Sequence, residues 1–192
     1  MEELKKLEDL ENPDERNLFY SVINTETGES RPYDISDLYR SVEAVTLSDK
    51  VPEDITSQFN VARNLAVYSW HSYSFNQVSE LKSYSCIEMA LRDRIGKHKY
   101  GFRGQIKKAV SLGLIKDEGF RVAENRHHSN NSYSESLKDI VPELRNGLAH
   151  GSTALYPGAV STLQWSADFI NQLFENEFNK SSQGTQQSCA PA

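Results

Sequence analysis

What most constrains the fold of this chain is a set of apolar stripes repeated at helical spacing. Ile55, Phe59, Ala62, Ala66, Trp70 and Tyr73 recur at steps of 4, 3, 4, 4 and 3. Such steps keep side chains on one face of an α-helix and scatter them over both faces of a strand. Pro52 suits the first turn of this helix, and Glu53 and Asp54 suit its positive dipole end. A second helix is predicted from near Ser74 to about Ile95, burying Leu81, Tyr84, Ile87, Leu91 and Ile95. Arg92 and Arg94 mark its last turn and Gly96 its end. A third helix carries Leu137, Ile140, Val141, Leu144 and Leu148 on one face, with Pro142 as a kink or an ordered start. A fourth begins at Pro157 and runs to about Phe178, on a stripe of Val160, Leu163, Ala167, Ile170, Phe174 and Phe178. The connection lengths allow these segments to pack antiparallel. The expected fold is therefore all-α, an antiparallel four-helix bundle over residues 52–180.

The rest of the chain is organised around that bundle. Residues 97–133 read as an insertion between the second and third long helices. It contains a short basic helix over 103–112, closed by Gly113, and a polar, non-periodic loop over 124–132 expected to be mobile. Residues 1–51 read as a small N-terminal appendage. The first dozen residues predict a short charged helix ending near Asn12-Pro13. Phe19–Ile23 and Arg31–Tyr33 predict a hairpin in which Pro32 suits only an edge. Residues 36–47 predict a short helix with Leu38, Val42 and Val45 on one side. The polar tail over 181–192 is expected to be disordered.

Composition narrows the function classes. At 192 residues and 38% hydrophobic content, the chain can build a core without disulfides or metal staples. No apolar run approaches the roughly 20 residues that span a bilayer, and mean hydropathy is −0.62. The charged start MEELKKLEDLE does not read as a signal peptide, so a cytoplasmic location is expected. Cys86 and Cys189 are too few for a zinc site or a disulfide framework. Cys189-Ala190-Pro191-Ala192 fits a prenylation box only formally, because proline suits the aliphatic position poorly. Net charge is −6, which argues against a general nucleic-acid coat. Charge is unevenly spread, however. Residues 1–54 hold 15 acids against 6 bases, whereas 82–126 hold 11 bases against 5 acids. A basic middle is either a polyanion-binding surface or a set of solvated helix faces.

The most informative stretch is Leu144-Arg145-Asn146-Gly147-Leu148-Ala149-His150-Gly151. Leu144 and Leu148 lie one turn apart and are expected to face the core, while Asn146 and His150 share another face. Arg145 and His150 are about 140° apart around an ideal helix. Their side chains therefore do not stack within one chain, and a shared site needs reach, fraying or a second subunit. Gly147 costs a helix about 1 kcal/mol relative to alanine, which makes sense where another backbone approaches closely. Gly151 reads as a C-terminal cap.

The segment Arg145-Asn146-Gly147-Leu148-Ala149-His150-Gly151 resembles the signature of HEPN domains, in which an arginine and a polar residue precede a histidine near the end of the third bundle helix. Ser85-Cys86-Ile87-Glu88-Met89-Ala90-Leu91-Arg92 resembles the second helix of some bacterial members. With the stripes, the resemblance spans about residues 52–180. It implies a helical-bundle homodimer. It also implies one of two roles: a metal-independent endoribonuclease, often a toxin or defence effector, or a non-catalytic module for RNA binding, dimerisation, antitoxin action or assembly. An antitoxin or other regulatory protein is the further partner that a toxin role implies.

The residue chemistry fits RNA cleavage. RNA breaks when a 2′-hydroxyl attacks the adjacent phosphate and leaves a 2′,3′-cyclic phosphate. Histidine titrates near neutrality and can move the protons. Arginine can hold phosphate oxygens in two-pronged fashion and stabilise developing charge. The expected roles are acid–base work for His150, phosphate stabilisation for Arg145 and orientation for Asn146. The plainer alternative is that Arg145 and His150 are cations favoured at a helix C-terminus. Lys97, Lys99, Arg103, Lys107 and Lys108 are the expected RNA-phosphate contacts. Glu88 and Arg92, four apart, form either an ordinary helix pair or a lining of the site from the facing helix. No metal or other cofactor is implied. His127 and His128 lack a matching carboxylate or cysteine cluster. His71 reads as an ordinary helix residue and Cys86 as a small buried hydrophobe. A DNA-binding helical unit over 103–121 is disfavoured because no second helix with the right turn is evident.

Overall fold

The computed structural model describes residues 3–97, 99, 101–121 and 131–176. Helices dominate it: α1 (Ile35–Glu43), α2 (Glu53–Tyr68), α3 (Phe75–Ile95), α4 (Gly101–Ser111), α5 (Ser132–Ala149) and α6 (Ala159–Glu175). Strands β1 (Ser21–Ile23) and β2 (Ser30–Pro32) pair antiparallel, with Pro32 at the end of the ladder opposite Ser21. No helix is long and apolar enough to cross a membrane among the described residues.

The stripe of α2 is buried as its spacing requires: Ile55, Phe59, Ala62 and Ala66 are at most 1% exposed. Small residues then bring α2 and α3 together. Buried Ser79 of α3 donates its hydroxyl to the Ala62 carbonyl of α2 at 2.8 Å, and Ser83 donates back to the Ser79 carbonyl at 2.8 Å. Helix α3 is the central element. It packs most extensively on α2 and α6, and meets α4 and α5 on another side. Helix α5 leans more on α4 than on α3, so the basic insertion is a working wall of the fold.

The N-terminal residues differ from their sequence reading in two ways. Among the described residues of the first dozen there is a single 3-10 turn, over Leu7–Asp9, with no buried residue. Leu4 and Leu7 stay exposed, so no apolar face anchors a longer helix. Residues up to 51 are also joined closely to the helices that follow. Leu38, Val42, Val45 and Val51 belong to the same core cluster as α2, α3 and α6. Asp14 accepts the Tyr73 amide at 2.9 Å, and Asn17 donates to the carbonyls of Ser69 and Trp70. Helix α1 begins with a full capping box, since Asp34 accepts the Asp37 amide and Asp37 accepts the Asp34 amide.

The start of α5 is set by a distant residue. Asp117, 3% exposed, accepts the amides of Tyr133 and Ser134 and the Ser134 hydroxyl. A carboxylate against free helix amides is favoured by the dipole. Phe120 stacks on Trp165 of α6 at 5.8 Å and 12° and meets Tyr133 edge-on, fixing the same end. Pro142 lies inside α5 and is buried. The α5 stripe behaves differently from its sequence reading. Leu137 and Val141 are buried, but Ile140 is 48% and Leu144 51% exposed. Leu144 therefore does not face the core, because α6 is not close enough to cover it. The expected loop over 124–132 lies outside the described residues except for its last two, as do His127, His128, Phe178 and the whole tail.

Candidate functional site

The C-terminus of α5 carries the motif and ends abruptly. Gly151 adopts φ +82°, which a side chain would strain. Its amide donates to the Leu148 carbonyl at 3.2 Å, and the Ser152 amide reaches back to the Gly147 carbonyl at 3.0 Å. This paired closure satisfies the last carbonyls of the helix. His150 is the capping residue, exposed to solvent, with its amide on the Asn146 carbonyl at 2.9 Å. Beyond it, the Gln77 side chain donates to the carbonyls of Ser152 and Ala154 and ties the turn to α3.

Arg145 points to the other side. With Asn146 it lines a cleft of about 600 Å³ that is completed by Glu88 of α3, Phe102 and Arg103 of α4, and Pro142 and Glu143 of α5. The arginine is loosely held there. One terminal nitrogen lies 3.3 Å from Asn146 Oδ1 and another 3.4 Å from Glu88 Oε2, both at the long limit of hydrogen bonding. Its Nε is buried and has no hydrogen-bond partner among the described residues. The guanidinium therefore retains unused donor capacity inside a cleft. His150 does not line this cleft. Within one chain, Arg145 and His150 thus address different surfaces, as the 140° separation expected of an ideal helix requires.

Glu88 sits opposite the motif and pairs with Arg145 across the helices rather than with Arg92 along its own. Arg92 is exposed and donates to the Glu88 carbonyl at 3.4 Å. It does not line the cleft.

The basic residues divide by role. Arg103 lines the cleft and pairs with Asp139 of α5 at 3.4 Å. Lys107, one turn along α4, is exposed. Lys108 donates to the Ile95 carbonyl at 3.2 Å and closes the end of α3, beside Gln105, which donates to the Gly96 carbonyl. Lys108 is therefore a structural cap as well as a charge. Lys97 and Lys99 are exposed in the connection between α3 and α4. Asp139 and Phe102 escaped the sequence reading, because nothing in their local pattern shows which helix they will meet.

A second groove, of about 620 Å³, opens on the far side of α5. Ile140, Leu144, Gly147 and Leu148 form one wall, and Glu80 and Tyr84 of α3 form another. A Cβ on Gly147 would meet nothing within 4 Å, so no close approach among the described residues explains this glycine. Burial raises the Glu80 carboxyl above the ordinary carboxylate range. Cys86 is buried, and that burial pushes its thiol up to about 11, which keeps it protonated and unreactive at neutral pH. Among the described residues no group of three or more His, Cys, Asp or Glu is arranged to hold a metal ion. Residues 103–121 contain α4 followed by a 3-10 turn over Asp117–Gly119, with no second α-helix.

Comparison with protein-family models, curated proteins and solved structures produced no match.

Proposed function

We propose that this chain is a HEPN-type, metal-independent endoribonuclease, acting as a homodimer in a toxin or defence system. The observation that carries the reading is the state of Arg145: a cleft-lining guanidinium with a buried, unpaired Nε and two long, weak contacts. Its two terminal nitrogens, held only by those long contacts, can exchange them for phosphate oxygens, which form stronger, shorter charge-assisted bonds. Arg103 lies in the same cleft and adds positive charge at its rim. In this reading the arginine holds the scissile phosphate and stabilises its developing charge, while Asn146 orients the guanidinium it touches. His150 moves protons between the 2′-hydroxyl and the leaving 5′-oxygen.

His150 is turned away from the cleft of its own chain, so the dimer has a chemical purpose. The half-exposed stripe of Ile140 and Leu144 runs beside Gly147, which has open space before it. A second copy seated on this stripe would cover apolar area and explain the glycine as a close backbone approach. In this reading the two-fold axis passes close to Gly147 at the end of α5, so that Arg145 of one copy and His150 of the other reach one shared cleft.

Glu88 favours a second reading. Its carboxylate already faces Arg145 and would compete with a phosphate. A chain tuned this way serves as a non-catalytic RNA-binding or dimerisation module, such as an antitoxin or assembly domain. The deciding experiment is incubation of purified protein with mixed single-stranded RNA in EDTA, followed by analysis of the ends. Fragments ending in 2′,3′-cyclic phosphate support the nuclease. RNA that is bound but stays intact supports the second reading.

A further inference from the structure

We propose that Glu88 is a specificity-determining residue of the Arg145 cleft and that it selects guanine as the base beside the bound phosphate. The inference rests on the reading of this cleft as an RNA site, whether or not the RNA is cut.

The cleft is furnished with forked groups of both signs. Glu88 and Glu143 bring two-oxygen acceptors, and Arg103 and Arg145 bring two-pronged donors. Phe102, half-buried at the start of α4, adds an aromatic wall. The existing pairings among these groups are weak. Arg145 meets Glu88 at 3.4 Å, and among the described residues this is the one hydrogen bond of the Glu88 carboxylate. Arg103 meets Asp139 at 3.4 Å with both side chains more than half exposed, so solvent screens the pair. The two carboxylates of the cleft differ in their surroundings. The Glu88 side chain is 25% exposed, whereas Glu143 is open to solvent. Glu88 therefore loses more when it is left without a donor.

Phosphate binding creates that situation. When Arg145 turns to a phosphate, Glu88 gives up its partner inside the cleft. A ligand that also donates to Glu88 then gains over one that does not. The four RNA bases differ in what they offer. Guanine carries N1–H and the N2 amino group side by side, which match both oxygens of one carboxylate. Adenine and cytosine set one amino group beside a ring acceptor, and uracil sets one N–H between two carbonyls. Each of these three turns a lone pair towards Glu88. Guanine also carries O6 and N7 as paired acceptors, the usual partner of an arginine fork. Arg103 stands in the same cleft to supply that fork. Single-stranded RNA exposes these edges and can lay a base against an aromatic ring such as that of Phe102.

The test is calorimetry on the full chain, run with melting curves. The ligands are inorganic phosphate and the 3′- and 5′-monophosphates of guanosine, adenosine, cytidine, uridine and inosine. A guanosine monophosphate should bind about tenfold tighter than its adenosine, cytidine and uridine counterparts, in line with a bidentate contact to a base edge. The tighter guanosine isomer tells on which side of the phosphate the base lies. Inosine, which lacks only the 2-amino group, should fall between. Glu88→Gln should bring the guanosine-to-adenosine ratio close to one, because an amide sets a donor beside its acceptor. The same variant should bind inorganic phosphate at least as well as wild type, since Glu88 no longer competes for Arg145. A merely structural Glu88 would move neither quantity. Should Glu88→Gln melt far below wild type, the loss from guanosine to inosine in wild type carries the test. Single-stranded RNAs with and without guanine separate the inference from the reading beneath it. Equal binding of both, with no preference among the mononucleotides, overturns the guanine assignment and leaves the RNA reading standing. Failure of every RNA and mononucleotide to bind removes both. A preference that survives in folded Glu88→Gln, or that is lost in Glu143→Gln instead, overturns the role of Glu88.

Discussion

Helices α5 and α6 carry apolar stripes of the same period, yet they end in opposite states. On α6, Leu163, Ala167, Phe169, Ile170 and Leu173 are all fully buried. On α5, Leu137 and Val141 are buried while Ile140 and Leu144, on the same stripe, are about half exposed. The cause is position. Helix α6 lies against central α3, with α2 and α1 closing around it, so a wide arc of its surface is covered. Helix α5 stands at the edge, with α4 on one side and only part of α3 behind it. Periodicity therefore states which face needs a cover. It does not state whether the same chain supplies one. The uncovered arc of α5 adjoins the stretch that carries Arg145, Asn146 and His150.

The largest expected effect separates chemistry from packing at the end of α5. His150→Ala should lower RNA cleavage by about 10² to 10⁴, the usual worth of a general acid–base. Its melting temperature should stay close to wild type, because the side chain is exposed. Arg145→Ala should also abolish cleavage and weaken RNA binding, since the proposed role of Arg145 is to hold a phosphate. Cleavage time courses in EDTA, run with melting curves, check both variants. Melting far below wild type with unchanged activity would make the motif structural.

The packing contrast itself can be broken next. Leu163→Ala on α6 should cost about 2–5 kcal/mol by leaving a cavity. Leu144→Ala on α5 should cost folding no more than about 0.5 kcal/mol, as exposed sites do. Leu144→Glu should instead act on assembly, converting the proposed dimer of about twice 21.8 kDa to the single-chain mass in light scattering. A wild type that is already monomeric at micromolar concentration would leave the α5 stripe without the partner proposed for it.

Smaller effects sharpen the division among the basic residues. Lys107→Glu should weaken RNA binding and reduce its salt slope by about 1 or 2, with little change in stability. Lys108→Glu should in addition lower the melting temperature, because its ammonium closes the end of α3. Equal melting of the two variants would show the Lys108 cap to be unimportant.

The smallest effect concerns the junction of the N-terminal segment with the α2–α3 turn. The Arg16 guanidinium holds the Asp14 carboxyl down at about 2, helped by the Tyr73 and Arg16 amides and opposed by burial. A folded value below the unfolded one means the stabilisation is complete above about pH 4 and is lost as pH falls towards about 2. It should amount to about 1 kcal/mol, because half-exposed Arg16 is screened by solvent. Melting temperature in wild type should fall over that window more steeply than in Asp14→Asn.

Much of the helical framework was legible beforehand. The stripes, Ser74, Gly96 and Gly113 place α2, α3, α4 and α6 within a few residues of where they occur, because helix ends are set by local backbone chemistry. The hairpin and α1 follow from equally local signals. The charged start failed to become a helix because its leucines have nothing to pack on. At the site, Arg145, Asn146 and His150 could be singled out by type and spacing, and their angular separation by helix geometry. Glu88 could be singled out as a neighbour, yet its choice of Arg145 over Arg92 depends on how α3 and α5 lie together. The Asp117 cap on α5 and the Arg103–Asp139 pair likewise join residues far apart in sequence.

The division follows the range of the forces. Residues within a turn of one another determine where each helix runs, which face is apolar and that Arg145 and His150 diverge, since backbone sterics and hydrogen bonds act locally. Which apolar faces are covered depends on distances between helices. So does the loosely held state of Arg145. Those distances are set by close packing of the whole core, which no local pattern encodes.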